Sequence, residues 1–388
     1  MDGRGLLTAV IDRGAKMDLT AFRRDLHRHP ECGFKLDRTA ARIADTLQAA
    51  GLEVTRGVGG SGVVATLRRG QSGTAIGLRA DMDALPITEV NGFAHRSVID
   101  GAFHGCGHDG HSTMLVGAAL RLAEDPGLAR DVHFIFQPDE ENGLGAKAMI
   151  ADGLFTRFPM AAIYGLHNLP GLEVGQFAIQ SGPFCAFEDN FEISVIGKGG
   201  HASMPEAGVD AILVASGIVT QLQSIVSRAV SAKSHAVVSV TEFVTDGARN
   251  ILASNAVLRG DCRGFTPDVS ERIRSRMDQI VAGVCAAHGA QGLLSYSTSF
   301  QPLVNDGAAT NRAIAAAGQV GQVDGEYGRV GFSEDFAAYL DHCPGAFILA
   351  GNGTAGSHAM PLHNPQYDFN DGLIDTGIAY WMALAKGG

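Results

Sequence analysis

Side chains that can bind a metal ion follow three short apolar runs of the sequence. They are Asp81 and Asp83, then Glu140 and Glu141, and then His167. The runs end near Arg79, Phe136 and Leu166, and each has the apolar character of a strand buried on both faces of a sheet. Ligands of open α/β sheets bind outside the carboxyl ends of the strands. We therefore expect these side chains to converge on one crevice.

Two further segments offer ligands of another kind. They are a glycine-rich turn with Cys106, His108, Asp109 and His111, and a late loop with His363. The turn leads into a helix predicted over 112–124. Thiolate and imidazole are both good ligands for a borderline-soft divalent ion. Because the adjacent carboxylates of Glu140 and Glu141 would repel each other without a cation, these segments together predict a metal site.

The order of the predicted elements indicates two domains. Strand-like and helix-like patterns alternate at the start, which predicts an α/β domain with a mainly parallel sheet. From residue 187 the order becomes β-α-β-β-α-β, as in a ferredoxin-like α+β module. Its first helix has apolar positions at helical spacing, namely Ile212, Ala215, Val219, Leu222 and Val226. We expect one domain formed by residues 1–186 and 298–388, with the second domain inserted at 187–297.

The composition excludes several classes of protein. A net charge of -11 argues against a nucleic-acid partner, because a phosphate backbone requires a basic face. Residues 1–20 carry several charges and no continuous apolar core, so we expect no secretory signal there. The uncharged stretch 211–227 contains too many polar residues for a membrane span. The six cysteines include no CxxC pair, and we expect all but Cys106 to be buried apolar residues of a cytoplasmic protein.

Motifs of other enzyme classes are missing or stand in the wrong context. A GxGxxG pattern at Gly57, Gly59 and Gly62 is followed by a strand pattern and not by a phosphate-binding helix. The chain has neither a GxSxG elbow nor an HExxH helix. Nucleotide binding and serine hydrolysis are therefore poorly supported.

Seven segments resemble the hippurate hydrolase family, which comprises N-acyl amino acid and auxin-conjugate amidohydrolases within the aminoacylase and carboxypeptidase G group of metallopeptidases. They are LRADMDALP (78–86), HGCGHDGH (104–111), FQPDEE (136–141), GLHN (165–168), GKGGHA (197–202), SEDF (333–336) and LHNP (362–365). The resemblance runs from about Phe22 to Trp381, with the motifs in the family order.

The resemblance implies roles for individual residues. The implied metal ligands are Cys106, His108, Glu141, His167 and His363. Glu140 is the implied general base, and Asp83 a carboxylate that orients a ligand. His201 matches a histidine that stabilises the oxyanion in the active site of the partner subunit. Asn250 and Arg263 match positions that contact substrate, the arginine holding the substrate carboxylate.

The implied reaction is hydrolysis of the amide bond of small N-acyl amino acids, such as hippurate or N-acetyl amino acids. Two divalent ions would share a hydroxide that attacks the carbonyl, with Glu140 as general base. A thiolate ligand favours zinc, and the family implies manganese as well as zinc, with cobalt or nickel as further options. The resemblance also implies a homodimer or a dimer-based oligomer, in which the inserted domain serves as a lid or dimerisation domain.

Two alternatives stay open on the sequence. One is a dipeptidase, carboxypeptidase or deacetylase of the same wider group, although Cys106 replaces the acidic or histidine ligand usual in the dipeptidases. The other is a catalytically silent homologue that binds a small molecule, although no ligand and no general base is missing. The segment 251–253 and the interrupted glycine run after Glu141 depart from the family pattern, which affects pocket shape more than catalysis.

Overall fold

The computed structural model describes residues 17–70 and 75–387. The helices are α1 (Leu19–Arg28), α2 (Asp37–Ala49), α3 (His108–Ala123), α4 (Gly145–Ala151), α5 (Leu154–Arg157), α6 (Ala211–Ser224), α7 (Pro267–His288), α8 (Gly307–Gly318) and α9 (Leu373–Lys386). Short 3-10 helices lie at Pro205–Ala207, Asp335–Asp341 and Gly356–Ala359, and a π-helical turn, Ile225–Ala229, extends α6.

The strands complete the list of regular elements. They are β1 (Glu53–Val58), β2 (Gly62–Leu67), β3 (Ala75–Asp81), β4 (Val132–Gln137), β5 (Met160–Pro170), β6 (Gln176–Ala178), β7 (Gly182–Cys185), β8 (Phe187–Ile196), β9 (Gly200–His201), β10 (Ala236–Thr245), β11 (Ile251–Leu252), β12 (Asn255–Gly264), β13 (Gln291–Phe300), β14 (Leu303–Asn305), β15 (Gln322–Asp324) and β16 (Gly345–Gly353).

The larger sheet has eight strands in the order β1-β2-β4-β3-β5-β16-β6-β15. The central strands β4, β3, β5 and β16 run parallel to one another, whereas antiparallel pairs appear toward both edges. Strands β3 and β4 are buried along their whole length, because α1, α2, α3, α8 and α9 cover one face and α4, α5 and the 335–341 helix cover the other. This mainly parallel α/β architecture confirms the predicted fold class.

A second sheet has four antiparallel strands in the order β10-β12-β8-β13. Helices α6 and α7 pack on one of its faces, and the chain order β8-α6-β10-β12-α7-β13 is that of the predicted ferredoxin-like module. Buried and half-buried residues alternate along β8, as the sequence pattern indicated. The domain limits of 187 and 297 stay a prediction.

Three predicted features of the helices and strands are wrong in detail. Helix α3 begins at His108, so His108, Asp109 and His111 lie in its first turn and not in the loop before it. Strand β5 continues to Pro170, which places His167 inside the strand. Cys32 is half-buried and not part of the core.

The set of α6 residues that are buried agrees only in part with the predicted set. Ala215 and Leu222 are buried as expected, but Ile212 and Val226 are exposed. Among the described residues, the helical stretch Ala211–Ala229 is long and apolar enough to cross a membrane. The buried side of this helix packs in the core of the second sheet, as is typical of an amphipathic helix in a globular domain. The charged start of the chain, where no secretory signal is expected, lies mostly outside the described residues.

The turn before α3 is held in a tight conformation. Gly107 has a φ of 93°, which glycine adopts readily and other residues do not. A Cβ atom at this position would lie 2.4 Å from Asn168 Oδ1 and 2.6 Å from Tyr367 Oη. Glycine is therefore needed both for the backbone angle and for the close approach of β5 to the turn.

We predict that Gly107→Ala lowers the melting temperature more than the control Gly101→Ala. Both glycines have a positive φ, where a side chain costs about 1–2 kcal/mol. At Gly101, no atom lies within 4 Å of the added Cβ, so only the backbone cost applies. Thermal unfolding of the two variants measures the difference. Equal shifts would show that the contact with Asn168 does not constrain the turn.

Candidate metal centre

The structure brings all five predicted ligands together: Cys106, Glu141, His167 and His363 line one cleft, and His108 is buried beneath it. Cys106 Sγ lies 3.4 Å from His167 Nε2, and Cys106, His108 and His167 form one compact group of potential ligands. Cys106, Glu141 and His363 form a second. Such short distances between ligand atoms, on four separate segments of the chain, are typical of side chains arranged around ions.

Cys106 belongs to both groups, and Glu141 lies close to a histidine of each. Its Oε1 atom lies 3.8 Å from His108 Nε2, and its Oε2 atom lies 3.4 Å from His363 Nε2. The two oxygens of one carboxylate therefore face two different histidines. Cys106 and Glu141 thus bring the two groups of potential ligands next to each other.

The late loop is fixed against the cysteine turn by its backbone. The N–H of His363 donates to the carbonyl oxygen of Gly105 at 2.9 Å, and His363 has a φ of 66°. A positive φ in a residue other than glycine costs about 1–3 kcal/mol and is found most often at functional sites. The imidazole is 51% exposed, so it lies at the mouth of the cleft, whereas Cys106 and His108 lie at its base.

Polar neighbours orient two of the imidazoles. His167 Nδ1 lies 2.7 Å from the carbonyl oxygen of Asn168, which leaves Nε2 free to bind a cation. His108 Nδ1 lies 3.4 Å from Asp83 Oδ1, and the other oxygen of Asp83 accepts a hydrogen bond from the N–H of Glu141 at 3.1 Å. Carboxylates and carbonyls in these positions fix the tautomer and ring orientation of metal-binding histidines.

His111 and Asp109 lie behind the ligands. His111 is held between Asp81 Oδ1, at 2.6 Å, and Asn168 Oδ1, at 2.7 Å. Asp109 pairs with the buried guanidinium of Arg23 at 2.9 Å. These contacts connect the base of the cleft to α1 and β5.

Glu140 points into the same cleft from a more buried position. It is 6% exposed, and its Oε1 atom accepts a hydrogen bond of 3.4 Å from the N–H of Asp335. Burial raises the pKa of Glu140 well above its usual range, and the carboxylates of Glu334, Glu141 and Asp335 raise it further. A carboxyl group with a raised pKa can exchange a proton near neutral pH.

The residues that surround Glu140 have no role predicted from the sequence. Arg79 Nη2 lies 3.0 Å from both Glu334 Oε1 and Asp335 Oδ1, and Arg79 Nη1 lies 2.7 Å from Asp81 Oδ2. A lone arginine inside an apolar strand signals such a buried ion pair, because burying an unpaired charge is prohibitively costly.

The electrostatic environment of the centre favours the binding of cations. Burial alone would lower the pKa of His108, but Asp81 and Asp83 raise it to about 10. Burial raises the pKa of the Cys106 thiol, and so does the carboxylate of Glu141. Both ring nitrogens of His108, Oε1 of Glu141 and Oδ1 of Asp83 are buried without a hydrogen-bond partner among the described residues. Unpartnered buried ligand atoms and an excess of negative charge fit a pair of divalent ions.

The three other predicted site residues lie farther from this centre. Arg263 lines the cleft, which measures about 770 Å³. His201 and Asn250 do not line it: they are exposed, His201 on the small β9-β11 sheet and Asn250 directly before β11. The side chain of His201 contacts Ser203, with Nδ1 2.8 Å from the hydroxyl oxygen.

We predict that metal loading releases protons from the metal-free centre. His108, with a pKa of about 10, and the thiol of Cys106 hold protons at neutral pH, and ligands must lose them to bind an ion. The apparent metal affinity should therefore rise with pH between about pH 6 and pH 8. Calorimetric titration in buffers of different ionisation enthalpy measures the number of protons released per ion bound. The Cys106→Ser variant should release fewer protons than the wild type. A pH-independent affinity without proton release would contradict this account.

Comparisons with known proteins agree with the architecture and the centre. Residues 77–387 match the sequence pattern of Peptidase family M20/M25/M40. The chain is 34% identical over 379 residues to the N-acetylcysteine deacetylase of Bacillus subtilis (strain 168), with 97% of this chain and 98% of that protein covered. It is 35% identical over 383 residues to the hippurate hydrolase of Campylobacter jejuni, with 98% of each protein covered.

A solved structure is also similar over nearly the whole chain. The Bacillus subtilis YXEP protein, described as a dinuclear metal binding peptidase from the M20 family, gives a TM-score of 0.83 at 31% identity, with 95% of this chain and 96% of that chain covered. The predicted family resemblance and the prediction of an enzyme that acts on amides are confirmed. Together with the ligand groups, this likeness supports a centre for two divalent ions. The chain belongs to the peptidase family M20/M25/M40.

Proposed function

We propose that this enzyme hydrolyses the amide bond of small N-acyl amino acids. The observation that carries the proposal is the meeting of Cys106, His108, Glu141, His167 and His363 beside the buried carboxyl group of Glu140 in one open cleft. Relatives named for deacetylation of N-acetylcysteine and for hydrolysis of hippurate support this class of substrate.

The five ligands would hold two divalent ions, with Glu141 facing both groups of ligands. When bound, such ions supply an activated water and polarise the carbonyl group of the amide. Manganese and zinc suit this mixture of thiolate, imidazole and carboxylate, and cobalt or nickel would also bind. Asp83 would keep His108 and the backbone of Glu141 in position.

Glu140 would be the general base. It lies next to the ligand Glu141 but is held by the N–H of Asp335, and burial raises its pKa, which favours uptake of a proton. It would take a proton from the attacking water and donate it to the departing nitrogen. Both steps require that Glu140 itself does not bind an ion.

We propose that residues lining the cleft contact the substrate. Apolar side chains of Leu169, Phe300, Phe332 and Leu362 line it and suit an apolar acyl group. Arg263 is its cationic wall residue, and we keep the expected contact with the substrate carboxylate as a proposal. A cytoplasmic location also stays a prediction.

The oxyanion contact would come from a second copy of the chain. His201 is exposed and does not line the cleft of its own chain, as expected for a residue that acts in a partner. The surface nearby suits an interface between copies: β10 is the edge strand of its sheet and exposes Phe243 and Val244, and α6 exposes Ile212 and Leu213. Exposed apolar side chains on an unpaired edge strand mark an association surface. We therefore propose a homodimer, with Asn250 beside His201 in the shared site.

A substrate panel tests the proposed reaction. Hippurate, N-acetyl amino acids and dipeptides should be offered with and without a chelator. We expect chelator-sensitive hydrolysis of the N-acyl amino acids. Preference for dipeptides would favour the peptidase alternative, and binding without turnover would favour the catalytically silent one.

We predict that Glu140→Gln keeps both metal ions and lowers kcat by about a hundredfold to ten-thousandfold, the range for loss of a general base. Glutamine preserves the size of the side chain but cannot take up the proton. The exposed Glu206→Gln should have no effect on kcat. Metal analysis and steady-state kinetics measure both quantities. Near-normal turnover in Glu140→Gln would refute the general-base role.

We predict that His201→Ala lowers kcat by about a hundredfold to a thousandfold without loss of metal, as for removal of an oxyanion contact. Mixing it with Glu140→Gln should restore roughly a quarter of wild-type activity. This follows because half of randomly paired dimers contain both variants, and each of these has one intact site. The activity of the mixture, measured after subunit exchange between the two variants, tests this expectation. If mixing restores no activity, the site is complete within one chain.

A further inference from the structure

Among the described residues, four acidic side chains line the cleft, and one of them stands apart from the metal centre. Glu140, Glu141 and Glu334 lie at the centre, whereas Glu188 lies on β8 of the four-stranded sheet. In that sheet, Glu188 is paired in register with Arg263 of β12. The residue proposed to hold the substrate carboxylate therefore has another carboxylate directly beside it.

The carboxylate of Glu188 is held in place but can accept further hydrogen bonds. Its Oε2 atom lies 2.7 Å from Arg263 Nη2, and its Oε1 atom accepts a hydrogen bond of 3.2 Å from Asn190 Nδ2. A carboxylate has about four positions at which it can accept a hydrogen bond. The side chain is 24% exposed, so a donor that enters the cleft can reach it. Glu188 is thus a fixed acceptor with room for a cationic partner.

The charges around Arg263 carry an excess of negative charge. Its Nε donates to Asp261 at 2.6 Å and its Nη2 pairs with Glu188, so two carboxylates face one guanidinium. Arginine has five N–H donors, and those left over can hold the carboxylate of a substrate. That carboxylate would add a further negative charge next to Glu188. Like charges this close repel each other, and a nearby cation relieves the repulsion.

We propose that Glu188 is a specificity-determining residue, which selects N-acyl amino acids with a basic side chain. The side chain of the amino acid branches from the carbon that bears the carboxylate on Arg263, so it starts close to Glu188. An ammonium or guanidinium group would pair with Glu188 and offset the excess negative charge. A neutral side chain would leave that excess, and an acidic one would add to it. This inference rests on the proposed function, from which it takes the reaction and the contact with Arg263.

The test compares kcat/KM for three substrates that differ in the side chain of the amino acid. N-acetyllysine carries an amine, N-acetylnorleucine has the same carbon chain without the amine, and N-acetylglutamate carries an acid. We expect the wild type to prefer N-acetyllysine over N-acetylnorleucine by about tenfold, the effect of one hydrogen bond between charged groups. N-acetylglutamate should be the poorest of the three.

The variant Glu188→Gln should abolish the preference for N-acetyllysine, while kcat/KM for N-acetylnorleucine changes little. Two control variants should keep the wild-type preference. Glu192→Gln removes a carboxylate of the same strand that pairs with Arg259 on the exposed surface. Asp261→Asn removes the other carboxylate beside Arg263, which does not line the cleft. Any change that Asp261→Asn causes should be equal for N-acetyllysine and N-acetylnorleucine.

Several results would overturn this inference and leave the proposed function intact. One is a wild-type enzyme that hydrolyses N-acetylnorleucine as well as N-acetyllysine, which decides the matter even if Glu188→Gln fails to fold. Another is a Glu188→Gln enzyme that keeps the preference, including one that loses activity equally on both substrates. A metal-loaded wild-type enzyme that hydrolyses no N-acyl amino acid would instead refute the proposed function, and the inference with it.

Discussion

The concentration of buried negative charge at the carboxyl ends of the central strands governs this structure. Six carboxylates lie buried or nearly buried there, namely those of Asp81, Asp83, Glu140, Glu141, Glu334 and Asp335. The guanidinium of Arg79 is the permanent cation that pairs with three of them. Two like charges about 4 Å apart repel by about 4 kcal/mol at an effective dielectric constant of about 20. A whole domain is stable by only about 5–15 kcal/mol. The centre must therefore take up cations, which are protons in the metal-free chain and metal ions in the working enzyme.

The fold concentrates these groups because its central strands are parallel. Asp81, Gln137 and His167 come from three neighbouring strands and face the same edge of the sheet. The other ligands come from the first turn of α3 and from loops, with positive φ at Gly107 and His363. Rigid strands thus supply the buried side of the centre, and constrained loops supply the side open to substrate.

Much of this arrangement could be predicted from the sequence. Strand-like runs followed by acidic residues predicted the position of the crevice. The alternation of apolar and polar residues along β8 predicted a strand of the second sheet. The start of α3 was misplaced, since the helix begins directly after Gly107 and includes the ligand His108. Local pattern could not show which face of α6 is buried, because the helix is apolar on several sides and tertiary packing decides. The ion pairs of Arg79 and the contacts of Arg263 join residues far apart in sequence, so no short motif reveals them.

In our proposal, the four-stranded module supplies a group that the cleft of a single chain lacks. The cleft of a single chain brings together the ligands and Glu140, whereas His201 lies on the surface of the module. In the proposed dimer, the four-stranded sheet therefore has two tasks. It would carry His201 to the partner's cleft, and it supplies Arg263 to the wall of its own cleft.

The most direct test of the central claim is anomalous diffraction from crystals of the protein loaded with manganese. The account predicts two anomalous peaks per chain, each within bonding distance of residues of the set Cys106, His108, Glu141, His167 and His363. A single peak, or peaks bound by other residues, would contradict it.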